Sequence, residues 1–148
     1  MFRKFKKEKS RVLTKKYRKE KGQSLVEFAV ILPVLLIIVF GIIDFGWLFY
    51  NQAALNNSCR EGARFAVVNT GKTDRLTLIQ TKVLAVSPAS IKTGMTITTT
   101  YSNTSNMLLG DVTVTLVTNV KVLTPLLGVF TNNQQKSLDA SVTMKVES

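Results

Sequence analysis

The 148-residue chain has no histidine, a single cysteine (Cys59), a single tryptophan (Trp47) and three prolines, and its nine acids face twenty basic residues. Without an imidazole there is no histidine base for a serine or cysteine nucleophile, and no histidine metal ligand. A lone cysteine forms no intrachain bridge, so the fold is not a disulfide scaffold; Cys59 is either a small packed thiol or one end of an intermolecular bridge. The sequence also shows no internal repeat, no phosphate-binding glycine loop and no cluster of metal-ligating residues. No catalytic site, metal or cofactor is therefore expected, and the chain does not read as an enzyme. What is abundant is apolar: 45% hydrophobic residues exclude a wholly disordered polymer.

The formal charge of +11 would suggest nucleic acid as a partner if it were spread over a surface, but it is concentrated. Residues 1–21 hold eleven of the twenty Lys and Arg against only Glu8 and Glu20, so the remaining chain is close to neutral. A basic run that abuts an apolar segment reads as a topology determinant rather than a nucleic-acid arm, and no nucleic-acid partner is expected.

That apolar segment covers residues 25–50, LVEFAVILPVLLIIVFGIIDFGWLFY, with sixteen consecutive uncharged residues between Glu27 and Asp44. Residues 25–43 as a helix would extend roughly 28 Å at about 1.5 Å per residue, close to the hydrocarbon thickness of a bilayer. Trp47 and Tyr50 then fall at the far headgroup level, and the basic leader holds its own side in the cytoplasm. A cleaved signal peptide would have a shorter apolar core with a small-x-small site close behind, and none follows Ile43. The expected placement is a single pass through a bacterial cytoplasmic membrane, with membrane lipid as a partner, the N-terminus inside and the C-terminal part outside.

Between leader and span stands Lys21-Gly22-Gln23-Ser24-Leu25-Val26-Glu27-Phe28. Glycine disfavours helix and lacks a side chain, so Gly22 could present an extended strand to a protease at the membrane face. Glu27 is costly inside an apolar run, up to about 2.5–3.5 kcal/mol at mid-bilayer and less near the edge, so it calls for a partner. Two readings stand for it: snorkelling to the inner headgroups, or pairing with a charge on a neighbouring helix. Pro33 either kinks the helix or is simply accommodated. At the outer boundary, Asp44 reads first as a solvated carboxylate and second as a helix contact.

Beyond the span the helical pattern continues, and small residues recur: Ala53, Ala54, Ser58, Cys59, Gly62, Ala63 and Ala66. Such residues let another helix approach closely. Arg60, Glu61 and Arg64 lie within one turn, as a solvated face or as subunit contacts. One helix is expected from about residue 25 to 69, with Gly71 as its stop.

The junction resembles the processing site of type IV prepilin-like proteins, which implies cleavage by a membrane prepilin peptidase between Gly22 and Gln23. The new amino group of Gln23 could then pair with Glu27 of a neighbouring subunit, with Phe28 beside it, and set helix register. Three runs carry a closer resemblance: Glu27-Phe28-Ala29-Val30-Ile31-Leu32-Pro33, Gly41-Ile42-Ile43-Asp44-Phe45-Gly46, and Arg60-Glu61-Gly62-Ala63-Arg64-Phe65-Ala66. Together they look like the N-terminal signature of TadE-like proteins of the tight-adherence (Flp) pilus machinery, over roughly residues 22–68. The resemblance implies a pseudopilin that assembles with other pilin-like subunits and a pilus assembly platform, as a homo- or hetero-oligomer. The long, very basic leader departs from the usual pattern.

After Gly71 the composition shifts toward Thr, Val, Asn and Ser. A short helix is expected over residues 74–86, capped by Thr73, with Leu76, Ile79, Val83 and Leu84 as its apolar set and Pro88 beyond. Three alternating segments follow, around 95–101, 112–122 and 138–146, each a strand with one buried face. Residues 103–106, 109–111 and 131–133 supply loops, and Asp74, Asp111, Asp139 and Glu147 read as surface. The fold class is therefore α+β: a basic leader (1–22), a long helix (23–70), and a small domain (71–148) with a short helix and a three-stranded antiparallel sheet. A permanently anchored extracellular binding module or adhesin is the alternative function, and it requires no cleavage at Gly22.

Overall fold

A computed structural model describes residues 2–103, 105–106, 108–124 and 134–146, with side chains described from Gly22 onward. Thr131, Asn132, Asn133 and Glu147, expected above as loop and surface, lie outside the described residues. The element order is α1 (Phe2–Val68), α2 (Arg75–Val86), α3 (Ala89–Lys92), β1 (Thr96–Tyr101), β2 (Gly110–Lys121) and β3 (Gln135–Val146). The α+β class and the three-stranded antiparallel sheet are as expected, with strand order β1-β2-β3. Two compact units divide the chain, Met1–Phe40 and Gly41–Ser148. The division falls inside α1, whose second half shares a core with the sheet.

Alternation along β2 decides the geometry of the second unit. Val112, Val114, Leu116, Thr118 and Val120 are buried while the residues between them are partly or fully exposed, which is the period of a strand with one covered face. β3 lies antiparallel in a register that sets Leu116 opposite Ala140 and Thr118 opposite Leu138. On the open face that register aligns hydroxyls: Thr113 bonds Thr143 at 2.8 Å and Thr115 bonds Ser141 at 3.1 Å.

Leu55, Cys59, Ala63 and Ala66 of α1 recur at helical spacing and are fully buried in the same cluster as Ile79 and Val83 of α2 and Ile91 of α3. Small side chains permit the close approach. The Cys59 thiol donates to the carbonyl of Val114 at 3.1 Å, within the sheet itself. A Cβ on Gly62 would stand 2.6 Å from Val83 Cγ2, so a glycine is what lets α2 lie against α1. Thr118, the one polar residue on the inner face of β2, is satisfied by donating to Ile91 O at 2.8 Å, which ties α3 to the sheet.

Two expected signals are replaced by neighbours. The long helix ends at Val68 without a left-handed Gly71; Asn69 and Thr70 instead fold back, Asn69 Nδ2 to Phe65 O at 2.8 Å and Thr70 Oγ1 to Ala66 O at 2.9 Å. These side chains occupy carbonyls that a glycine turn would have satisfied through backbone amides. Thr73 is not the cap of α2: Asp74 holds that position, and it makes no side-chain cap bond. α3, a four-residue turn after Pro88, was not anticipated. Between β1 and β2, Asn103 Oδ1 accepts from the amides of Ser105 and Asn106 at 3.1 and 2.9 Å, an Asx-type turn. Gly110 opens β2 at φ +132°, where a Cβ would also meet Ser102 Oγ at 2.5 Å.

Candidate membrane anchor and helix interface

In the first unit the site begins at Gly22. The helix runs through it, contrary to the extended strand expected there, and Gly22 is exposed with no atom within 4 Å of a built Cβ. Among residues other than proline, glycine opposes local unwinding of a helix least. Gln23 and Glu27 are exposed one turn apart, and Gln23 Nε2 donates to Glu27 Oε1 at 3.2 Å. The backbone nitrogen of Gln23 thus belongs to the same turn as a carboxylate.

From Leu25 onward the helix shows its apolar side chains on all sides. Leu25, Val30 and Ile42 are each more than 60% exposed, Phe28 is 58% exposed, and Pro33 continues the helix with its ring exposed. Within Gly22–Val68, the most apolar 18-residue window reaches a mean hydropathy of 2.9, and none of it is buried. The core helix of a soluble protein would hide such a stretch. An apolar helix uncovered all round is a candidate membrane span.

In the second unit the aromatic residues follow directly. Phe45 stacks on Phe49 at 6.5 Å and Trp47 on Tyr50 at 5.9 Å between ring centroids. Asp44 departs from the solvated reading. It is completely buried: Oδ1 accepts from the amides of Leu123 at 3.0 Å and Thr124 at 2.9 Å, and Oδ2 accepts from the Thr124 hydroxyl. Trp47 Nε1 donates to Lys121 O at 3.0 Å, and Gln52 Nε2 to Asp139 O at 2.8 Å. The acid at the end of the apolar run is thus a latch on the segment leaving β2, with its charge balanced by amide dipoles.

The small residues of α1 are mostly spoken for. Ser58, Cys59, Gly62, Ala63 and Ala66 are buried, and the space they leave is filled by the chain's own strands and α2; Ala53 stays exposed and Ala54 is half-buried. Arg60, Glu61 and Arg64 are all exposed. Glu61 also edges an open groove of about 390 Å³ lined by Tyr50, Ala54, Ser58, Val86 and Pro88 among others. Sequence reasoning missed this groove because its two walls are separated by more than twenty residues in the chain.

Burial pushes the Cys59 thiol above its ordinary value of 9.0, with the backbone of Val142 and Leu116 drawing it weakly the other way. The folded thiol keeps its proton where an unfolded one gives it up, so its contribution to stability is complete below that value and declines as pH rises through about 9. Native protein at pH 8 is therefore expected to leave Cys59 unmodified by iodoacetamide while unfolded protein reacts fully. Equal rates in the two states, followed by mass spectrometry, would contradict the packed thiol. Among the described residues, no three Cys, Asp or Glu side chains gather where they could hold a metal.

Residues 22–64 match the family model described as TadE-like protein. No curated protein and no solved structure matches the chain. The matched stretch begins at the glycine of the junction, runs through the exposed apolar helix and ends among the residues that pack on the sheet. Over that stretch, under a third of its length, the chain is similar to TadE-like proteins.

Proposed function

We propose that the chain is a pseudopilin-like subunit that acts structurally in assembling a tight-adherence (Flp) pilus, and that a prepilin peptidase removes the basic leader by cutting between Gly22 and Gln23. Residues 25–43 cross the bacterial cytoplasmic membrane with the leader inside and residues 71–148 outside, as the charge asymmetry favours. The observation that carries this reading is that the TadE-like match begins at Gly22, the glycine of the junction, and takes in the exposed apolar helix that follows from Leu25.

Assembly then follows from helix packing. The processed helix offers lipid-compatible surface to related helices, and pairing of Glu27 with the amino group of a neighbour's Gln23 sets their register. Outside the lipid, Ala53, Arg60, Glu61 and Arg64 supply an exposed face for other pilin-like subunits or the assembly platform.

The test is intact mass after co-expression with a prepilin peptidase. A product starting at Gln23 is expected. Persistence of the full-length chain, in cells where an established substrate is cut, would remove processing from the account.

A further inference from the structure

β2 leaves the sheet at a defined level along α1. Asp44 binds the amides of Leu123 and Thr124, and Trp47 binds the carbonyl of Lys121, so the end of β2 lies beside residues 44–47 of the helix. The opposite end of the sheet, at Gly110 and Val146, belongs with the later turns of α1, where Cys59 meets Val114. One end of the sheet therefore sits where the apolar run stops and the aromatic residues begin.

That end brings apolar and basic side chains together at the level where the apolar run of α1 stops. Leu123 is 57% exposed although its own amide is fixed by Asp44, and on the helix Phe45 and Phe49, which follow Asp44, are about 70% exposed. Lys121 and Lys136, the terminal basic residues of β2 and β3, are exposed on either side of the tip. Exposed Leu123, Phe45 and Phe49 with Lys121 and Lys136, at the level of Ile42, Ile43 and Asp44 where the apolar run ends, match the layering of a bilayer surface: acyl chains, then aromatic rings, then anionic phosphates.

We propose that this tip of the sheet is a lipid-binding surface. Leu123 enters the boundary between headgroups and acyl chains, and Lys121 and Lys136 meet the phosphates of the same leaflet. The proposal rests on residues 25–43 crossing the membrane, so its test must separate the two ideas.

The full chain is reconstituted into phosphatidylcholine/phosphatidylglycerol vesicles with an environment-sensitive fluorophore on an introduced cysteine, Leu123→Cys, Val34→Cys or Thr100→Cys; buried Cys59 stays unlabelled. Lipids brominated near the headgroup or near the chain end report depth by quenching. The label at position 123 is expected to shift to the blue and to be quenched by the shallow lipid, that at 34 by the deep lipid, and that at 100 by neither. Trp47, the only tryptophan, checks the fold of each variant. Should Leu123→Cys disturb it, a label at Lys121→Cys takes its place with the same shallow quenching expected.

Deep quenching at 34 with a water-exposed label at 123 leaves the span intact and overturns the tip contact. A blue-shifted label at 123 that no lipid quenches means the tip is covered by protein, such as a second copy, and also overturns it. Absence of quenching at 34 removes the span, and the tip contact with it. The variant Lys121→Glu/Lys136→Glu is expected to lose the shallow quenching at 123, and unchanged quenching would eliminate the role given to the lysines.

Discussion

Replacing Asp44 with alanine is expected to cost the folded state about 2–4 kcal/mol, because hydrogen bonds to a charged group contribute roughly 1.5–3 kcal/mol each and are not fully additive. Three donors converge on this carboxylate, and two of them are backbone amides that alanine would leave without an acceptor. Water would compensate in part, since Leu123 is more than half exposed, which keeps the effect below the simple sum. For a unit of about a hundred residues, such a loss lowers the melting temperature by roughly 10–20 °C. Asp44→Asn keeps one acceptor oxygen and should lose less than half as much. The full chain in detergent micelles gives the measurement, with Trp47 emission as the probe, since its indole is bonded to Lys121 close to the latch. Equal melting of Asp44→Ala and the parent would show that the latch contributes nothing.

The other large effect concerns assembly rather than folding. Glu27→Gln preserves shape and the capacity to hydrogen-bond but removes the charge. Cleavage after Gly22 should continue, because the exposed junction is unaltered in its backbone. Subunit association should fall about tenfold or more, as the loss of one charge-assisted contact of about 1.4 kcal/mol or above would produce at each interface. Within one chain the Glu27 carboxylate is exposed and accepts from the side-chain amide of Gln23 at 3.2 Å, which leaves its remaining lone pairs open to a donor from a neighbour. Glu27→Asp, which restores charge on a shorter arm, should recover part of the assembly. Intact mass reads cleavage, and co-purification with differently tagged copies reads association. Normal association by Glu27→Gln would eliminate the pairing role and leave snorkelling as the explanation of this acid.

Much of this architecture is local and was legible for that reason. Sixteen uncharged residues between two acids define the apolar helix without help from the rest of the chain, and the alternation of Val112, Val114 and Leu116 fixes both the strand and its buried face. α2 was found to within a residue through Ile79 and Val83. What escaped was what depends on distant partners. Asp44 looks like a boundary acid, and nothing near it announces that its donors come 79 and 80 residues later. The small residues around Cys59 and Gly62 showed that something would approach closely, but their spacing could not say that the chain's own sheet and α2 would do so. α3 has four residues, too few for any periodic signal, and is held by buried Ile91 and by the hydrogen bond from Thr118. Gly71 misled because a glycine after a helix is the commonest stop, whereas here Asn69 and Thr70 reach back to the carbonyls first.

The topology of the helix is the claim on which the remainder depends, and sidedness of single cysteines tests it most directly. In a Cys59→Ala background, Ser102→Cys and Ser10→Cys are introduced separately in cells that lack a prepilin peptidase, so that the leader is retained, and intact spheroplasts are treated with a membrane-impermeant maleimide. Labelling of position 102 without lysis, and of position 10 only after lysis, is the predicted result. Labelling of both positions in intact spheroplasts, or of neither before lysis, would contradict a helix that crosses the membrane with its basic end inside.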